Sequence, residues 1–192
     1  DDESIKNLDL SSEEIVFYNS LNLILAKPML YICNVDEDSI LKGNKFSELV
    51  KEKANSESND TVIVSAAIES QIAEFDNEEE KFELLKDLGL TETTLKKVIN
   101  AGYSILNLIT YFTCGPKETR AWTIKMETTA PKAAGKIHTD FEKGFIRAET
   151  VAYNDYTELG GESASREAGK LRQEGKDYIV KDGDVMHFLF NV

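Results

Sequence analysis

No apolar run in this sequence approaches the roughly 20 residues a membrane-spanning helix needs, so a helical membrane protein is excluded. A signal-peptide pattern is missing too. Cysteine is scarce: Cys33 and Cys114 are the two present, far apart and in no C-x-x-C pair. His138 and His187, the two histidines, are not spaced to complete a zinc site. A disulfide framework and a structural metal are therefore not expected. Each cysteine lies in an apolar stretch and reads as a small buried hydrophobe, in keeping with a reducing cytoplasm. Internal repeats and low-complexity segments are lacking. Asp1 is not an initiating Met and the opening residues are polar, as expected of a chain cut from something longer.

What is present suffices for a soluble protein with one large or two small domains in 192 residues. Hydrophobic residues make up 41% and charged residues 30%, ordinary values for a folded chain. The net charge of −13 is unevenly spread. Residues 1–114 carry 10 Lys and Arg against 22 Asp and Glu, whereas residues 115–192 carry 12 against 13. Two modules of different character are expected. The acidic first one disfavours broad phosphate-backbone binding, while the near-neutral second leaves room for a local basic face.

Along the first module, Ser11 and Glu14 form a capping-box pattern, with Ile15, Tyr18, Leu21 and Leu25 at helical spacing behind it and Lys27-Pro28 as a stop. Met29 to Cys33 is nearly all apolar, the pattern of a strand buried on both faces. A helix from Lys45 to Ala54, with Phe46, Leu49 and Val50 inward, leads to a second apolar strand, Thr61 to Val64. Strand, helix, strand predicts a βαβ unit of an α/β sheet. Helices follow from Ile68 to Phe75, through Phe82, Leu85 and Leu88 with Gly89 as C-cap, and from Thr91 to Leu108. The acidic run Asp76 to Glu80 reads as a solvated helix start.

From Ile109 the strands become short and β-branched or aromatic. Strands are predicted at Ile109–Thr113, Ala121–Met126 and Phe145–Tyr153, a helix at Thr129–Ile137, and a loop over Gly160–Glu174. Asp-Gly at 182–183 between Tyr178–Val180 and Val185–Phe190 predicts a hairpin. The pattern fits a β-grasp fold, with another helix-on-sheet sandwich as the alternative.

The chemistry is concentrated at two strand ends. Asn34-Val35-Asp36-Glu37 follows the first apolar strand, and ligands of open α/β sheets bind at such carboxyl ends. An Asn amide can face a purine edge with a donor and an acceptor, and a carboxylate accepts ring N–H and exocyclic amino groups. Asn and Asp are also ordinary turn residues, so this signal alone is weak. Ser65-Ala66-Ala67, after the second strand, adds small residues and backbone N–H groups that let a flat ring approach.

These paired ends resemble the fourth and fifth motifs of P-loop GTPases. With Val35 and Glu37 in place of Lys and Asp, N-x-x-E resembles the YchF branch, or Obg-like ATPases. The second module sharpens the likeness: Arg120-Ala121-Trp122-Thr123, the run from Ile137 to Phe145, Gly175-Lys176-Asp177-Tyr178 and the run from Asp182 to Phe188 resemble the TGS domain of that family. The match covers residues 109–192 and continues more weakly back to about residue 9. It implies the C-terminal part of a G domain over 1–108 and a β-grasp TGS domain over 109–192. It also implies ATP or GTP with Mg²⁺ in the complete protein, and an RNA, ribosome or regulatory role. In that protein Asn34, Val35, Glu37, Ser65 and Ala66 would surround the base.

The chain has neither G-x-x-x-x-G-K-[ST] nor the D-x-x-G expected for phosphate and metal. On its own it is expected not to hold nucleotide tightly or to hydrolyse it. Lys132, Lys136, Lys143 and Arg147 are the candidates for an RNA or ribosome contact face. A non-enzymatic RNA, ribosome or protein interaction module is the alternative function. His138 and His187 read as structural or surface residues, and Trp122 as a core strand residue; no catalytic residue is assigned. Two strands apolar on both faces with few neighbours also lead to an expectation of self-association through an open sheet edge.

Overall fold

A computed structural model describes residues 10–191; residues 1–9, Val192 and the side chain of Leu25 lie outside it. The chain divides between Leu106 and Asn107 into two compact units. No helix among the described residues is long and apolar enough to cross a membrane.

The first unit begins with α1 (Ser12–Ser20), and Ser11 and Glu14 close a reciprocal capping box at its start. The helix ends earlier than its apolar spacing predicts, and a short 3-10 turn at Ile24–Ala26 precedes the first strand. β1 (Leu30–Asn34) and β2 (Asp60–Val64) pair in parallel, Leu30 opposite Asp60 through Asn34 opposite Val64. α2 (Lys45–Ser56) connects them, capped by Asn44, whose Oδ1 accepts from the N–H groups of Phe46 and Ser47. Gly43, with φ +77°, makes the turn into that helix, and a Cβ there would collide with the Ser47 side chain. α3 (Ala66–Glu74), α4 (Glu78–Asp87) and α5 (Thr94–Ile105) complete the unit. α2 and α5 both pack against the strand pair.

The first core gathers Val35, Ile40, Ile68, Ile72, Leu85 and Leu90. It differs from the sequence pattern in which apolar residues face inward. Phe46 and Leu49 of α2 are 76% and 54% exposed, and the buried positions of that helix are Ser47 and Ala54. Ile32 on β1 is 53% exposed, so that strand is not covered on both faces. Phe82, Leu95, Ile99 and Leu106 also face outward. A Glu69 carboxylate oxygen of α3 instead accepts from the backbone N–H and hydroxyl of buried Thr94 at 2.6 and 2.7 Å. It thereby caps α5 from another helix.

The second unit is built on a five-stranded sheet in the order β4-β3-β7-β5-β6. β3 (Leu108–Cys114) and β4 (Thr119–Lys125) form an antiparallel hairpin. β5 (Phe145–Ala152), β6 (Arg172–Glu174) and β7 (Asp184–Phe190) follow. β7 lies between β3 and β5, parallel to the first and antiparallel to the second. α6 (Ala130–Ile137) and the one-turn α7 (Thr139–Lys143) close one face. Ala133, Ala134, Tyr111, Phe145, Ala148, Met186 and Phe188 are in the core there, with Trp122 packed against it. The Tyr111 hydroxyl, fully buried, donates to the Ala133 carbonyl at 2.8 Å, and burial holds its pKa well above the ordinary value.

Two predicted features of this unit differ in the structure. Gly160–Glu174 is not a loop. α8 (Tyr153–Leu159) ends on left-handed Gly160, α9 (Glu162–Glu167) begins after Gly161, and β6 follows. Nor does Asp182-Gly183 join a hairpin. The Gly183 N–H donates to the Thr110 carbonyl and Asp182 Oδ1 accepts from the Thr110 N–H, tying the turn to β3. Residues 178–180 are drawn to the start of α6 instead. There Ala130 N–H donates to Tyr178 O, and Val180 N–H donates to Thr128 O. Buried Asp184 anchors the region, accepting from the Tyr178 hydroxyl (2.7 Å), the Lys181 N–H (2.9 Å) and Arg172 (3.3 Å).

Candidate functional site

The parallel register brings the ends of β1 and β2 side by side, with Asn34 opposite Val64. Asn34 alternates outward at the last position of its strand, so its amide is exposed. Its Oδ1 accepts from the Ala66 N–H at 3.0 Å. Ala66 is the first residue of α3, and its N–H is one of those a helix start leaves without an internal partner. One side chain thus joins the two strand ends that the sequence analysis singled out. The oxygen is engaged by that bond. Among the described residues the Nδ2–H donor pair of Asn34 has no partner, and Oδ1 keeps its second lone pair.

The next residues sort into wall and rim. Val35 donates its N–H to Val64 O at 2.9 Å and buries its side chain in the core, so it supports the site from below and presents no atom of its side chain. Asp36 caps a 3-10 turn at Glu37–Ser39 by accepting from the Ser39 N–H. That turn lifts Glu37 onto the surface, where Oε1 accepts from Gln71 Nε2 of α3 at 2.9 Å. Glu37 Oε2 has no partner among the described residues. Ser65 is fully buried and its hydroxyl is unpartnered, an arrangement that costs about 1–3 kcal/mol where no water reaches it. Ala66 and Ala67 are small and exposed at the start of α3.

The structure therefore gathers all five base-site candidates, but with different atoms free from those expected. The Ala66 N–H is occupied, Ser65 is beneath the surface, and the groups without a partner include one amide N–H pair and one carboxylate oxygen. Gln71 was missed, because nothing local in the sequence links it to Glu37, thirty-four positions away. Donor amide, acceptor oxygen and small exposed residues at the helix start suit the edge and face of a purine. Among the described residues no three His, Cys, Asp or Glu cluster so as to hold a metal ion.

The four basic candidates are not all brought together. Lys132 and Lys136 lie one turn apart on α6, both exposed, and Lys143 is at the end of α7. Arg147 of β5 is opposite Leu189, and the alternation places it on the sheet face away from Ala148 and α6. Its Nε is buried without a partner. His138 caps α7, its Nδ1 accepting from the Asp140 N–H. His187 is exposed on β7, across from Glu149. Trp122 donates to Thr113 Oγ1 at 2.9 Å and lies 4.2 Å beneath the Arg120 guanidinium.

Comparison with known proteins supplies a context for this geometry. Residues 108–191 match the family model YchF-GTPase_C, described as a protein of unknown function (DUF933). The chain is 56% identical over 188 residues to the ribosome-binding ATPase YchF of Haemophilus influenzae, covering 98% of this chain and 51% of that protein. It is 44% identical to the Obg-like ATPase 1 of Rattus norvegicus, covering 95% and 46%. A solved YchF GTPase from Schizosaccharomyces pombe superposes with a TM-score of 0.82 at 40% identity, covering 97% of this chain and 50% of that one. The chain spans about half the length of the curated relatives it matches. Over nearly all of its own length, it belongs to the YchF/Obg-like ATPase family.

Proposed function

We propose that this chain is the base-recognition part of a ribosome-binding, purine-nucleotide-dependent ATPase, followed by a TGS domain. The observation that carries the reading is the Asn34–Ala66 bond, which joins the ends of two parallel strands and leaves the Asn34 donor amide without a partner, as Glu37 Oε2 is three residues on. In this reading Asn34 Nδ2 donates to purine N7, an acceptor that adenine and guanine share. Glu37 accepts from the opposite edge, and Ala66 and Ala67 lie against the ring. Val35 and Ser65 hold the strand ends in place. The phosphates, Mg²⁺ and hydrolytic groups belong to a phosphate-binding part outside these 192 residues. That part would supply the charge stabilisation on which phosphoryl transfer depends, and this chain alone does not hydrolyse nucleotide.

The names of the relatives, a ribosome-binding ATPase and an Obg-like ATPase, support the activity and a cytoplasmic site of action. For residues 109–192 the β-grasp TGS assignment is supported by the hairpin-helix order and by β7 lying parallel to β3 at the centre of the sheet. Lys132, Lys136 and Lys143 are the basic residues we assign to ribosome or RNA contact, with Arg147 on a separate face. Calorimetry on the full-length protein tests both halves of the proposal. Asn34→Ala should weaken ATP binding and leave ribosome pelleting unchanged, whereas Lys132→Glu with Lys136→Glu should do the reverse. An Asn34→Ala protein with wild-type ATP affinity would refute the base site.

A further inference from the structure

The bond between Gln71 and Glu37 adds a residue to this site and gives it a direction. Gln71 lies on α3, one and a half turns beyond Ala66, and its Nε2 donates to Glu37 Oε1 at 2.9 Å. The same helix therefore holds both halves of the Asn34–Glu37 segment: its first N–H holds Asn34, and Gln71 holds Glu37. Both Gln71 and Glu37 are exposed, so the bond is not required to satisfy a buried charge. Its consequence is that one carboxylate oxygen carries a bond within the protein and the other carries none.

The two purines place different demands on that carboxylate. Guanine presents two adjacent donors, N1–H and the 2-amino group, and a carboxylate meets them best with both oxygens in a forked pair. Adenine presents a single donor there, its 6-amino group, beside the lone pair of N1. A carboxylate with both oxygens free would set one of them against that lone pair. With Oε1 already bonded to Gln71, Oε2 is the oxygen without a partner, and a forked pair to guanine has to share or displace the Gln71 bond. Resting on the purine reading above, we propose that Gln71 is a positioning residue that shifts the selectivity of this site from guanine toward adenine by engaging one oxygen of Glu37.

The test compares ATP and GTP affinities of the full-length protein, each measured by competition against one fluorescent nucleotide. Gln71→Met keeps the length of the side chain and removes the donor. It should raise the GTP-to-ATP affinity ratio on the order of threefold, the scale of one modest hydrogen bond. Gln71→Lys, which restores an N–H donor of similar reach, should return the ratio to the wild-type value. Gln71 is exposed, so an unchanged melting curve separates these effects from misfolding. An unchanged ratio in Gln71→Met, with Asn34→Ala weakening both nucleotides, would overturn the role of Gln71 and leave the base site standing. Unchanged affinities in Asn34→Ala would remove the base site and this inference with it.

Discussion

The two units of the chain satisfy their apolar residues to different degrees. In the second, a five-stranded sheet closes over α6 and α7, and its aromatic residues pack on one another: Tyr111 edge-on to Phe188, and Phe141 stacked on Phe190 at 3.8 Å. In the first, two strands carry α2 and α5, while Phe46, Leu49, Leu95, Ile99 and Leu106 remain half exposed or more. The spacing of Leu95 and Ile99 on α5 and of Leu106 at its C-cap makes one stripe along the helix. Contiguous apolar stripes of this kind mark surfaces that meet other polypeptide. The comparison teaches that the second unit packs its aromatic residues within its own sheet and helices, whereas the first leaves an apolar stripe outside its own core. On the proposal above, the phosphate-binding part of the protein covers it. The expected self-association through an open strand edge remains a proposal of the same kind.

Separating the units should give the largest effect. Residues 107–192 expressed alone should melt cooperatively, whereas residues 10–106 alone should bind a hydrophobic dye and melt without a sharp transition. A cooperative melt of the first unit by itself would erase the contrast. Within the second unit, Asp184→Ala would leave the Tyr178 hydroxyl and the Lys181 N–H without their acceptor. Chemical denaturation should show a loss of about 3 kcal/mol, the scale of breaking a buried charged network. Tyr111→Phe keeps the ring and removes one buried bond to Ala133, for which a loss of about 1 kcal/mol is expected.

The smallest expected effect is one of pH. Hydrogen bonding to Arg166 holds the Glu149 carboxyl below its ordinary range. Because the folded pKa is the lower one, this contribution is present above the unfolded-state pKa and is lost as pH falls through the folded value. Melting of the second unit should therefore lose part of its acid dependence in Arg166→Met. An identical acid profile in the two proteins would show that the pair contributes nothing.

Local signals in the sequence were legible where both partners lie within one turn or one strand. The Ser11 and Glu14 partners are three positions apart, and the β1-α2-β2 order follows from two apolar runs around a helix. Signals failed where a distant segment competes. Asp182-Gly183 has the chemistry of a hairpin turn, yet Thr110, seventy-two positions earlier for the side-chain bond, takes both of its polar groups. Gly160-Gly161 reads as a loop because two glycines end one helix and begin the next. Burial misled for a related reason. Helical spacing finds an apolar face but does not say whether that face is covered within the same chain, as Phe46 and Ile99 show. At the candidate site, residue types were legible and free atoms were not: that Asn34 would retain a donor and Glu37 one oxygen depends on Ala66 and Gln71 approaching them in space.

The most direct test of the base site is photolabelling of the full-length protein with an ATP analogue carrying an azide on the base. The account predicts that the label is found on peptides containing Asn34 to Glu37 or Ser65 to Gln71, and that unmodified ATP competes it away. Competed labelling confined to residues 107–192, or to neither segment, would contradict it.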